Sequence, residues 1–245
     1  MSAQPESSPV LAPTGGSGQM FDRIAHRYDL LNRLLSLGMD HRWRRALVRS
    51  LDLGTCGPAP HVLDLATGTA DVALAIAKTY PTARLVGVDP SANMLEHGRV
   101  KARQRGVDGR VELMVGDAQA LPFADDNFDA ACISFGIRNV PDRALGLREM
   151  CRVVRPGGVV SVLELGEPTG VMGPFARFYV HRVVPKVGAW LSGAREYDYL
   201  HKSIAAFPPP EAFAAMMTDA GLDDVTVRRF NFGGTNLYVG RVPRT

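Results

Sequence analysis

Three acidic residues close successive apolar runs: Asp64 in Val62-Leu63-Asp64-Leu65, Asp89 ending Arg84 to Asp89, and Asp117 ending Val111 to Asp117. An acid at the end of a second strand, 25 residues after Asp64, is placed to accept hydrogen bonds from both hydroxyls of a ribose. One at the end of a third strand can accept from an exocyclic adenine amine while a backbone N–H at Asp117-Ala118 meets a ring nitrogen. The competing role for Asp89 is to cap the helix that follows Asp89-Pro90-Ser91, a task Ser91 can perform itself. Between the first acid and its helix lies Ala66-Thr67-Gly68-Thr69-Ala70, small residues that let a ligand come close to the backbone. A dinucleotide fingerprint needs Gly-x-Gly-x-x-Gly, and only Gly68 remains of it here. The chemistry indicated is recognition of a nucleoside without a pyrophosphate. An NAD-dependent oxidoreductase is thereby disfavoured, and a catalytically silent nucleoside-binding subunit stays open.

To bring these acids to one rim the chain must alternate strands and helices. Strands are expected at 62–65, 84–89, 111–117, 129–135 and 159–165, with helices at Ala70 to Thr79, Ala92 to Gln104 and Ala144 to Val154. Such crossovers require parallel pairing. A helix from Pro210 to Ala220 precedes 225–230 and 235–242, which read as an antiparallel hairpin across Asn231-Phe232-Gly233-Gly234. The fold class expected is α/β, a doubly wound, mostly parallel, seven-stranded Rossmann-like sheet ending in that hairpin. Ligands of such sheets bind at the carboxyl ends of the strands.

The 245 residues, 46% hydrophobic and 22% charged, suit one sizeable α/β core and exclude a disordered, collagenous or disulfide-scaffold chain. A net charge of +3 is too small to argue for nucleic acid and does not oppose docking on an anionic membrane. Cys56, Cys132 and Cys151 have neither zinc-ligand nor disulfide-framework spacing, so no metal is expected and a reducing cytoplasm fits. No signal peptide or membrane span is expected. Residues 1–19, rich in Ser, Pro and Gly, read as a disordered tail, and 20–245 as a single domain. Ile24, Tyr28, Leu31 and Leu35 mark an amphipathic helix, followed by a second at 40–50; together they form the N-terminal helices of 20–52. Residues 167–208 read as a helical lid. Within it Val171, Phe175, Phe178, Tyr179, Val183, Val187 and Trp190 make an apolar side beside Arg177, His181, Arg182 and Lys186, which suits either an interfacial segment or packing on the sheet.

The strand-one turn, the strand-two acid, Gly116-Asp117-Ala118 with Leu121-Pro122-Phe123, and Asn127-Phe128-Asp129 resemble a class I S-adenosylmethionine-dependent methyltransferase. Tyr28-Asp29-x-x-Asn32-x-x-x-Ser36-x-Gly38-x-x-x-x-Trp43, the segment Ile133 to Val140 (ISFGIRNV) and Arg155-Pro156-Gly157-Gly158 are similar to the menaquinone and ubiquinone biosynthesis C-methyltransferases. The resemblance runs from Met20 to Val242. It implies that Thr69, Asp89, Asp117 with Ala118, and Ser134 contact the methyl donor, joining Asp64 and Gly68 of the turn. Ala70 departs from the family's glycine, and its Cβ disfavours a positive φ.

The reaction implied is transfer of the S-adenosylmethionine methyl group to a ring carbon of a polyprenylated hydroquinone, demethylmenaquinol ahead of the ubiquinone-pathway benzoquinol. An ionised ring hydroxyl supplies the electron density, so the protein has to orient the ring and stabilise a phenolate. Arg138 is a candidate for that role, or for a salt bridge to an acid such as Asp142; Tyr28, Asn32 and Asn139 are polar pocket candidates. A long isoprenoid tail implies contact with the inner membrane face. A homodimer, or association with other enzymes of quinone biosynthesis, is compatible with this reading, and nucleic acid is not an expected partner.

Overall fold

The computed structural model describes residues 36, 38–167 and 202–244. The tail, Tyr28, Asn32, the first N-terminal helix and the 171–191 segment therefore lie outside the described residues. Helix α1 (Asp40–Ser50) is followed by β1 (His61–Leu65), α2 (Asp71–Thr79), β2 (Arg84–Asp89), α3 (Ala92–Gln104) and β3 (Val111–Val115). Next come β4 (Phe128–Ser134), α4 (Arg143–Val153), β5 (Val154–Leu165), α5 (Pro210–Asp219), β6 (Asp223–Phe230) and β7 (Thr235–Arg241). They build a seven-stranded sheet in the order β3-β2-β1-β4-β5-β7-β6. The first five strands pair in parallel and β7 runs antiparallel to both β5 and β6, as the alternating pattern requires. The order reverses between β1 and β4, which opens a crevice beside the end of β1.

Each face of the sheet is covered. Trp43, Leu47, Leu74, Ile76 and Leu95 from α1, α2 and α3 pack on one side, and Leu147, Met150, Phe213 and Met217 from α4 and α5 on the other. Strands β1 and β4 are buried along nearly their whole length, which explains their continuous apolar runs.

Several boundaries differ from the sequence reading. Strand β3 ends at Val115, because Gly116 and Asp117 turn back through a bridge between Asp117 and Ala120. Strand β5 starts at Val154, ahead of the expected 159, and takes in Arg155-Pro156-Gly157-Gly158. There Gly157 sits at φ 79, and the Gly157 amide and Gly158 carbonyl still bond to Val242. Helix α2 begins one residue later than expected, since Ala70 stands outside it at φ 65.

Candidate functional site

The carboxyl end of β1 is built around Asp64. Its Oδ2 accepts from the Thr67 hydroxyl at 2.6 Å and from the Ala73 amide at 3.1 Å, and its Oδ1 accepts from the Cys132 thiol at 3.4 Å. Only 1% exposed, Asp64 fastens strand, turn and helix together. Burial pushes its pKa up to about 6, against the hydrogen bonds from Thr67, Cys132 and Ala73 and with the nearby Asp89 charge adding to the rise. Burial and the Asp64 charge also push the Cys132 thiol well up, leaving it neutral and inert.

The turn that Asp64 anchors is tight and strained. Ala66, Gly68 and Ala70 have φ of 47, 56 and 65. Ala70 thus adopts the conformation its Cβ disfavours, with the methyl group wholly buried. The following helix is braced from outside. Asp71 bonds Arg44 at 2.7 Å and Lys101 at 2.8 Å, and Lys101 also donates to the Thr69 hydroxyl at 2.8 Å. Although burial acts to raise it, the Arg44 and Lys101 charges hold the Asp71 carboxyl below its ordinary value.

Asp89 ends β2 as expected. One oxygen accepts from the Gly68 amide at 2.8 Å and the other from the Ser91 amide at 2.9 Å. The helix cap is Ser91, whose hydroxyl accepts from Met94 N, so the competing capping role belongs to the neighbour of Asp89. This carboxylate, 7% exposed, ties the turn after β1 to the end of β2. Asp117 lies in the turn after β3, where Gln119 donates from its backbone and its side-chain amide. Ala118 beside it is half-buried. Ser134, the last residue of β4, carries a buried hydroxyl that finds no partner among the described residues. These positions bring the ends of β1 to β4 to one rim. A buried, unpartnered hydroxyl at the end of β4, a left-handed glycine after β1 and an acid at the end of β2 fit a nucleoside that donates and accepts at several points.

Beyond Ser134, Phe135 at φ 57 leads into a single 3₁₀ turn, Ile137–Asn139, that carries Arg138 and the half-buried Asn139. A Cβ on Gly136 would stand 2.4 Å from the Ala66 Cβ, so the loops after β1 and β4 press together and only glycine fits. Arg138 is 9% exposed, and its Nη1 bonds the Phe135 carbonyl and Glu164 Oε1, each at 2.6 Å. Glu164, fully buried on β5, also accepts from the Arg138 and Leu165 amides. The anchoring acid is therefore Glu164 and not Asp142, which accepts from Leu145 N as the cap of α4. Sequence reasoning missed Glu164; a lone acid in the apolar run Val159 to Leu165 is the signal that could have found it, because such an acid needs a buried cation.

The buried side-chain atoms without a partner among the described residues are Ser134 Oγ, Arg138 Nε, Arg143 Nε, Asn236 Oδ1 and Tyr238 Oη. Arg138 and Asn236 both adjoin Glu164, for Asn236 is its register partner across β5 and β7. Tyr238 follows on the same face, with burial first and the Glu164 charge second pushing its hydroxyl pKa up. The Arg138 guanidinium thus retains a donor at Nε after its charge has been balanced.

A family model described as the ubiE/COQ5 methyltransferase family matches residues 15–241. A ubiquinone/menaquinone biosynthesis C-methyltransferase UbiE of Geobacter sp. (strain M21) is 48% identical over 225 residues, covering 90% of this chain and 94% of that protein. A demethylmenaquinone methyltransferase of Thermus thermophilus is 46% identical over 226 residues, covering 91% of this chain and 100% of the relative. Among solved structures, a putative S-adenosyl-L-methionine-dependent methyltransferase of Methanococcus maripaludis superposes with a TM-score of 0.64 at 14% identity, covering 100% of this chain and 98% of that one. That likeness concerns the fold.

Proposed function

The chain belongs to the ubiE/COQ5 methyltransferase family, and from that footing we propose that it methylates a ring carbon of a polyprenylated quinol, demethylmenaquinol, with S-adenosylmethionine as methyl donor. The donor supplies an electrophilic methyl on a sulfonium, and the exchange replaces a ring C–H hydrogen by CH₃ with loss of a proton. On this reading the chain's own residues bind and orient. Asp89 accepts from the ribose hydroxyls, and Gly68 and Thr69 lay the turn against the donor. Asp117 and Ala118 meet the adenine, and the Ser134 hydroxyl spends its free hydrogen bond on the donor. Asp64 sets the turn without touching the ligand, since its acceptor oxygens face inward.

The observation that carries the reading is Arg138, whose Nε keeps an unpaired N–H at the β4 end while Glu164 balances its charge. A fixed donor aimed at a ring oxygen favours the phenolate, and with it the electron density at the carbon to be methylated. Asn139, and Tyr28 outside the described residues, complete the polar side of the acceptor site on this reading. No helix among the described residues is long and apolar enough to cross a membrane. The isoprenoid tail of the acceptor calls for work at a membrane face.

The test is methyl transfer from S-adenosylmethionine to short-chain demethylnaphthoquinol under reducing conditions, read by mass, with a methoxy-benzoquinol in parallel. Methylation of the naphthoquinol is expected. A product from the benzoquinol alone would select the ubiquinone-pathway reaction, which the double naming of the Geobacter relative keeps as the second reading. No product from either ring would refute the assignment.

A further inference from the structure

Of the described buried polar atoms left unpartnered, those of Arg138 and Asn236 flank a single acid, Glu164, at the rim where β5 ends and β7 begins. Each side chain is at least nine-tenths buried: Arg138 is 9% exposed, Asn236 1% and Glu164 0%. A buried polar atom without a partner costs on the order of 1–3 kcal/mol, so two of them around one acid point to a ligand that supplies the missing bonds.

The orientation of the Asn236 amide is decided by its surroundings. Its Nδ2 lies 3.0 Å from the Gly233 carbonyl, which can only accept, so the NH₂ group must face Gly233 and the carbonyl oxygen must face away. The backbone is bent to make this contact. Asn231, Phe232 and Gly233 have φ of 47, 56 and 87, three left-handed residues in succession. Gly166, just after β5, must also lack a side chain, because a Cβ there would come within 2.7 Å of Asn236 Nδ2. Strain of this kind persists where the surrounding structure has a use for the geometry it enforces. Its result is a fixed acceptor, Asn236 Oδ1, on the strand next to Glu164, while the free donor of Arg138 Nε belongs to the side chain that the same acid holds.

We propose that Asn236 reads the oxidation state of the acceptor ring, its Oδ1 accepting a hydrogen bond from a quinol hydroxyl that the corresponding quinone lacks. The inference rests on the quinol reading above. A quinol with one hydroxyl ionised and one intact presents one strong acceptor and one donor, which match Arg138 Nε–H and Asn236 Oδ1 respectively. A quinone presents two carbonyl oxygens, and one of them would face Asn236 Oδ1 as acceptor against acceptor. The site then selects the electron-rich ring that can be methylated and turns away the oxidised ring that cannot. Sites built to hydrogen-bond a hydroxyl reject analogues without it far more strongly than apolar pockets discriminate size.

The experiment compares anaerobic binding of a short-chain demethylnaphthoquinol and its quinone by calorimetry, using the full chain saturated with S-adenosylhomocysteine. The parent protein is expected to bind the quinol at least about tenfold more tightly than the quinone, the scale of one lost buried hydrogen bond. Asn236→Leu should bring that ratio close to one while S-adenosylhomocysteine affinity stays within about twofold, because Asn236 lies on β7, apart from the ends of β1 to β4 to which the donor is assigned; Asn236→Ala serves the same purpose if leucine prevents folding. A preference retained in both Asn236→Leu and Asn236→Ala would overturn the inference and leave the acceptor of Asn236 to a buried water. Failure of the parent protein to bind either ring would overturn the quinol reading together with it.

Discussion

Replacing Asp64 by Asn should change the pH dependence of stability more than the fold. The side chain is 1% exposed and its pKa is raised from 3.8 to about 6, with burial the largest cause. The sign follows from proton counting. Between pH 3.8 and about 6 the unfolded chain has lost the proton that the folded chain still holds. Stability therefore falls as pH rises through that window, and is flat above it. A rise from 3.8 to about 6 corresponds to about 3 kcal/mol, the cost of keeping this carboxylate ionised in the interior. Asparagine has nearly the same shape and no charge. Its carbonyl can accept from Thr67 and Ala73 while its NH₂ faces Cys132, a weak acceptor at the position of the present 3.4 Å contact. Urea unfolding of both proteins at half-unit steps from about pH 4 to about pH 7.5 isolates the residue, because the titrations of all distant groups cancel in the difference. Asp64→Asn should gain on the parent by about 3 kcal/mol across that range, and most of the gain should lie below about pH 6.5. A difference that stays flat would refute the view that burial dominates at Asp64.

Asp89→Ala should weaken S-adenosylmethionine binding by about 1.5–3 kcal/mol in calorimetry, the scale of lost charge-assisted hydrogen bonds, and also free the Gly68 amide; unchanged affinity would confine Asp89 to the turn. Arg138→Ala leaves the Glu164 carboxylate buried without its cation, so stability is expected to fall by about 3–5 kcal/mol and obscure any kinetic effect. Arg138→Lys avoids this by keeping a charge near Glu164 while removing the Nε donor, and should lower kcat by about 10²-fold with donor affinity and urea midpoint close to the parent; a parental kcat would end the assignment of Arg138 to the ring oxygen. Co-sedimentation with anionic vesicles should be lost as salt rises, whereas equal recovery in the supernatant with and without vesicles would contradict work at a membrane face.

What the sequence made legible was governed by local pattern. Strands β1, β2 and β4 are short apolar runs because the sheet is covered on both faces, and their parallel pairing followed from the crossovers they require. Asp89 and Asp117 stood out because an acid at the end of such a run has few structural uses. The partners of the charged groups were harder to read, since they are set by strands distant in sequence. Nearby Asp142 is the expected partner of Arg138, but a residue preceding a helix serves its own amides first, and the buried partner lies 26 positions on at Glu164. The brace of Arg44 and Lys101 on Asp71 was equally hidden, because its three members lie on separate helices, α1, α2 and α3, far apart in sequence. Asn236 is one polar residue in the run Thr235 to Arg241. Its significance depends on Gly233 and Glu164, one in its own turn and one on a neighbouring strand.

The strained residues show why small side chains cluster at the strand ends. Ala66, Gly68, Ala70 and Phe135 all lie in the left-handed region, and only one of them is glycine. For a residue with a Cβ that conformation costs roughly 1–2 kcal/mol. At Ala70 glycine would relieve the strain, yet it would give up a fully buried methyl worth about 0.8 kcal/mol and bring additional chain entropy to the unfolded state. These terms nearly cancel, so alanine at this left-handed position need not weaken the fold. What it does change is the packing under the turn, where the Ala70 methyl lies against α3 beside Gly98, while the loops after β1 and β4 touch closely enough that Gly136 cannot carry a side chain. A ligand gripped between those loops must be met largely by backbone. On the proposed reading the charge on the donor side therefore comes from the neighbouring strand ends, at Asp89 and Asp117, while the turn itself contributes backbone.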